Sequence, residues 1–107
     1  MRVELSRQDI HAGDTHGLKG VVDVPDQMRL SELLATVVEP FVPQVQGLTW
    51  TCRAKVRDEW VDVAETGSVD GQPDSRLLID DVSLADAAAA GTVLPIGCRP
   101  IWASGAP

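Results

Sequence analysis

The segment Leu30-Ser31-Glu32-Leu33-Leu34-Ala35-Thr36-Val37-Val38-Glu39-Pro40-Phe41 carries the clearest periodic signal in the chain. Leu30, Leu33, Leu34, Val37, Val38 and Phe41 recur at the spacing of one α-helical face. Glu32 near the start suits the positive end of the helix dipole. Pro40 disfavours helical geometry at the residue before it, which predicts that the helix stops at Glu39. A helix with one apolar face must bury that face against another layer. The flanking sequence supplies the layer.

Upstream, Arg2 to Ser6 alternates, with Val3 and Leu5 on one side, which is the period-two signal of a half-buried strand. Leu18 to Val24 alternates in the same way, and the polar stretch 8–17 joins the two as a hairpin loop. Pro25-Asp26 breaks the second strand. Downstream, Leu48, Trp50, Cys52, Ala54 and Val56 form one face of a third strand. Arg57-Asp58 reads as a tight turn, and Trp60 to Ala64 returns as a fourth. Thr66 to Ser75 holds two glycines, a proline and two aspartates and reads as a loop. Ser83 opens a short helix with the form of a capping box, about two turns long, with Gly91 at its C-terminal end. Thr92 to Arg99 is the last strand, although Pro95 and Pro100 cannot donate to a ladder.

The chain has 107 residues, enough for one domain and too few for two ordinary ones. Its Asp and Glu outnumber its Lys and Arg by 16 to 9, for a net charge of −7. Nucleic acid and anionic membrane are poor partners for such a chain, because both need bases to displace counterions. No apolar run approaches the roughly 20 residues that span a bilayer. The charged, alternating start Met1-Arg2-Val3-Glu4-Leu5 is not a signal peptide, so a cytoplasmic location is expected.

The element order, the strand end Val22-Asp23-Val24, the break Pro25-Asp26 and the helix entry Leu30-Ser31-Glu32-Leu33-Leu34 together resemble the β-grasp fold of the ubiquitin-like superfamily. The stretch Val82-Ser83-Leu84-Ala85-Asp86-Ala87 is similar to the short helix before the last strand of that fold. The resemblance runs from Arg2 to about Arg99. It implies an α+β domain over residues 1–103 with a flexible tail at 104–107. The implied sheet is mixed, with four to five strands, one long amphipathic helix on one face and a short second helix. Two departures stand out. Arg29 occupies the helix cap position where the superfamily carries Thr or Ser, and Pro95 falls within the strand that should be central. The alternative architecture is another α+β sandwich with one main helix on an antiparallel sheet. In a β-grasp the strands of Cys52 and Cys98 are antiparallel neighbours, so the resemblance implies thiols that could face each other, either as buried thiols or as a disulfide.

No nucleophile elbow, phosphate-binding loop, dinucleotide fingerprint or zinc-finger spacing occurs. No cofactor is expected, and the chain reads as a non-enzyme. Asp80-Asp81 read as loop and cap residues. The expected function is a protein–protein interaction module for an unidentified protein partner, as a monomer or a homodimer. In ubiquitin-like domains the exposed sheet face is the contact surface. Here that face would carry Thr49, Thr51, Arg53 and Lys55 with Val61 and Val63. Trp60, or Trp102 near the end, would be a typical interface anchor. The 8–17 loop brings His11 and His16 together with Asp9 and Asp14, which are contact residues on the bland reading and metal ligands on the sharper one. Three other functions compete. A ubiquitin-like sulfur carrier would need a C-terminal Gly-Gly, and the chain ends Ser104-Gly105-Ala106-Pro107. A component of a bacterial secretion system is the second. A metal-dependent enzyme built on His11 and His16 is the third.

Overall fold

Alternating apolar residues and two-residue turns build most of the molecule. A computed structural model describes residues 1–8, 18–43, 45, 47–89 and 91–102. Six strands form one sheet in the order β2-β1-β6-β3-β4-β5. The strands are β1 (Arg2–Arg7), β2 (Leu18–Asp23), β3 (Leu48–Val56), β4 (Glu59–Val69), β5 (Gln72–Leu77) and β6 (Val93–Trp102). Only β1 and β6 run parallel among the described pairs. The sheet curls towards a half-barrel.

Two hairpins share one turn chemistry. Arg57 and Asp58 have φ of 50° and 68°, and Asp70 and Gly71 have 52° and 78°. Two central residues with positive φ make the type I′ turn, whose twist matches that of the flanking strands. The first turn was expected. The second falls inside the stretch 66–75 that reads as loop, and it adds β5 and lengthens β4.

The helical segment departs from its expectation. It comprises α1 (Leu30–Leu33), a π-helical turn (Leu34–Val38) and α2 (Glu39–Phe41). Pro40 has no N–H to give Thr36, and its ring crowds that carbonyl. The preceding turn widens to make room, and the Glu39 N–H bonds to the Leu34 carbonyl, five residues back. The chain thus stays helical through Pro40 and does not stop at Glu39. Leu30, Leu33, Leu34 and Val38 are buried in a core shared with Val3 and Leu5 of β1 and Trp50, Cys52 and Ala54 of β3. The β-grasp expectation is therefore corrected. The sheet has six curled strands instead of four to five, and the proline-driven π turn divides what should be one long amphipathic helix into short pieces.

Arg29 gives no side-chain cap. Asp81 caps the helix from a distant loop: its carboxylate accepts the Ser31 N–H at 3.0 Å and the Ser31 hydroxyl at 2.6 Å. The last helix, α3 (Leu84–Ala87), is capped by Ser83 as expected, its hydroxyl accepting the Asp86 N–H at 3.2 Å. It is one turn long, not two. Ala89, not Gly91, turns the chain out, with φ of 53°.

Both prolines of β6 sit where a neighbouring ladder has ended. Gln8 donates to the Cys98 carbonyl, so even-numbered residues of β6 turn towards β1 and odd-numbered ones towards β3. Pairing with β1 ends at Cys98, short of Pro100, and pairing with β3 ends at Ile96, short of Pro95. Neither ring removes a ladder bond. Among the described residues no helix is long and apolar enough to cross a membrane.

Candidate functional site

Strand alternation divides the sheet into two faces. The inner face, under the helices, carries Val3, Leu5, Trp50, Cys52, Leu94 and Ile96, all buried. Trp50 is wholly buried, and its indole N–H donates to the Pro43 carbonyl at 2.9 Å. Gly20 of β2 also lies on this face, where an added Cβ would meet the Phe41 ring at 3.4 Å.

The outer face carries the residues expected at the site. The two-residue turn sets Trp60 opposite Lys55 and Asp62 opposite Arg53, and the register shifts only beyond that pair, between Arg53 and Cys52. Trp60, Asp62, Arg53 and Lys55 therefore share the outer face. Val61 and Val63 do not: Val61 pairs with the inner residue Ala54, and Val63, the extra residue of the shift, is 3% exposed. The expectation that both valines join Arg53 and Lys55 is corrected by this pairing. Arg53 bonds Asp62 at 3.3 Å. Arg76 of β5 pairs with Glu65 of β4 in the same way. Thr51 is 7% exposed between the strands of Glu65 and Arg99, and its hydroxyl has no hydrogen-bond partner among the described residues.

Trp60 is half exposed and forms one wall of a groove of 330 Å³. Glu4, Ser6, Lys19, Val21 and Pro95 supply outward-facing side chains to its other walls. These residues form a row across the sheet. Val21 pairs with Glu4, Glu4 with Pro95, and Lys55, one step past the Ala54–Ile96 pair, with Trp60. On a flat sheet Val21 and Trp60 would stand about 19 Å apart, at roughly 4.8 Å per strand. Both nevertheless line the one groove. Val21 is itself 54% exposed, and Ile101 on the same face 44%.

Charge is segregated between the faces. The strand registers place Arg2, Lys19, Arg53, Lys55, Arg76 and Arg99 on the outer face, six of the nine bases in the chain. Among the acids of the described residues, only Glu4, Asp23, Asp62, Glu65 and Asp74 share it. The face is thus slightly positive on a chain of net charge −7. Lys19, Lys55 and Arg99 form no ion pair among the described residues.

His11, His16 and the remainder of the loop from Asp9 to Gly17 lie outside the described residues, as do the tail 104–107 and the side chain of Trp102. Among the described residues no three His, Cys, Asp or Glu side chains gather into a metal-binding cluster. The groove wall from β1, β2 and β6 was missed from sequence. Glu4 and Lys19 each look like an ordinary polar position of an alternating strand, and only the parallel pairing of β1 with β6 brings them towards Trp60. No family model, no curated protein and no solved structure matches the chain.

Proposed function

We propose that the chain is a non-catalytic protein-interaction domain that receives its partner on the outer sheet face, beside Trp60, in a cytoplasmic setting. The observation that carries this reading is a half-exposed tryptophan at the wall of a groove, on a slightly positive face of an acidic chain. Tryptophan is a typical interface anchor, because a large apolar area is buried at small entropic cost. Lys19, Lys55 and Arg99 form no ion pair among the described residues, so they are cations open to a partner there. The matching surface presents an apolar side chain to the groove and carboxylates to those cations. The acidic remainder of the chain repels misdirected approach of the same partner.

The test uses four tagged chains recovered from the native cells: wild type, Trp60→Ala, Lys55→Glu and, as a control away from the face, Asp80→Ala. Quantitative mass spectrometry compares what each retains. A protein held by wild type and Asp80→Ala and lost from both face variants supports the reading, given circular dichroism spectra that match wild type. If no protein separates the face variants from the control, the outer face is not the contact surface.

A further inference from the structure

Cys52 and Cys98 are the two cysteines of the chain. They are register partners on β3 and β6, next to each other in the middle of the sheet. Both are buried, and their Sγ atoms lie 3.8 Å apart as free thiols. The backbone groups of Cys98 turn towards β1, where its carbonyl accepts the Gln8 N–H. Against β3 the two cysteines thus form a pair without mutual backbone hydrogen bonds. In such pairs the Cα atoms stand about 4.5 Å apart and side chains approach most closely. That separation is within the range a disulfide spans, and the sulfurs need to close by roughly 2 Å.

Arg7 adds chemistry to the geometry. It is the β1 partner of Cys98, its guanidinium lies over the Phe41 ring at 5.8 Å, and its buried Nε has no hydrogen-bond partner among the described residues. The hydrogen bond shared with Cys52 and the Arg7 charge favour the thiolate at Cys98, against the effect of its burial. The same shared hydrogen bond and burial push the Cys52 thiol up.

We propose that Cys52 and Cys98 close a reversible disulfide across β3 and β6, giving the chain a two-electron redox couple at the centre of its sheet. The oxidant is a low-molecular-weight disulfide. The Cys98 thiolate attacks one of its sulfurs, forming a mixed disulfide and expelling one small thiolate. Cys52 then gives up its proton and attacks the Cys98 sulfur, closing the protein disulfide and expelling the second small thiolate. The two thiols lose two protons and two electrons, and the oxidant leaves as two small thiols. Burial confines the first step to moments when the strands open locally. In a reducing compartment the dithiol is the resting form. The couple is independent of the partner-binding reading, since both sulfurs lie on the inner face.

The experiment incubates the folded full-length chain in a series of oxidised and reduced glutathione mixtures, quenches with acid, and reads intact mass and alkylatable thiols. The expected end point is a chain lighter by two hydrogens, with no glutathione attached and no thiol left to alkylate. A peptide linking Cys52 to Cys98, and recovery of both thiols with dithiothreitol, complete the expected result. Wild type carries the whole test, so no variant has to fold. Two thiols persisting in excess oxidised glutathione, a stable glutathione adduct, or a disulfide-linked dimer each overturn the proposal.

Discussion

Replacing Ala89 by glycine should stabilise the protein, although it removes a methyl group and adds no contact. Ala89 follows the last turn of α3 with φ of 53°, where an L side chain crowds the following carbonyl. The left-handed conformation costs a residue with a Cβ about 1–2 kcal/mol. Glycine avoids that cost but gives up about 0.5–1 kcal/mol through its freer unfolded chain. The balance is a gain of about 0.5–1 kcal/mol, which raises the melting temperature of a domain this size by roughly 2–6 °C. Gly71 supplies the opposite experiment. Its φ is 78°, and an added Cβ would meet nothing within 4 Å, so Gly71→Ala isolates the backbone term. It should cost about 1 kcal/mol.

Thermal and urea denaturation followed by circular dichroism measures both variants. A lower melting temperature for Ala89→Gly would refute the argument, because only a loss of side-chain contacts could outweigh relief of the backbone. The position bears on the site as well. The Ala87 carbonyl, two residues before the turn, accepts the Arg57 N–H at 2.8 Å. That bond ties α3 to the turn that sets Trp60 opposite Lys55.

Three further outcomes can be measured. Asp81 has a carboxyl held below its ordinary pKa by hydrogen bonds from the Ser31 hydroxyl and N–H. Its contribution to stability is complete above the unfolded value of about 3.9 and is lost as pH falls through the lower folded value. Asp81→Asn should be less stable than wild type at neutral pH, and the gap should shrink below about pH 4 in acid denaturation. Trp50→Phe removes the bond to the Pro43 carbonyl and part of a fully buried ring. It should cost about 2 kcal/mol in urea denaturation, and no measurable cost would place the ring outside the core. Oxidation of Cys52 and Cys98, 46 positions apart, removes loop entropy from the unfolded chain. It should raise stability by about 4 kcal/mol if the disulfide closes without strain, and equal urea midpoints for the two forms would show that strain consumes the gain.

Local rules made β1, β2, β3 and the turn at Arg57-Asp58 legible, since each rests on alternation or on a two-residue break. β5 was not legible, because Gln72 to Arg76 has no apolar alternation for an edge strand to bury on one side. Asp70-Gly71, a strong two-residue hairpin signal, was the cue that could have found it. The π turn follows from Pro40, but a helical stripe that reaches Phe41 on both sides of a proline cannot say whether the helix stops or widens. Asp81 was read as a cap residue, and it caps α1 from 50 positions away, a pairing without local trace.

The same division runs through the site. Arg53, Lys55 and Trp60 were legible because they belong to one hairpin, and the turn length alone decides which of them meet. The alternation of Trp60 to Ala64 was misread by one position: counting back from the turn places Trp60 and Asp62 outward, whereas the apolar pattern had suggested Val61 and Val63. Burial of Val63 comes from the extra residue at the shift beside Cys52, which only pairing exposes. The opposite wall depends on β1 lying parallel to β6, strands whose first residues are 91 positions apart. A parallel pair has no turn to fix its register, so Glu4 and Pro95 meet only through the shared core beneath them. The groove beside Trp60 is therefore a property of the assembled sheet. Any change that slips β1 against β6 should remove the groove before it disturbs the hairpin that carries the tryptophan.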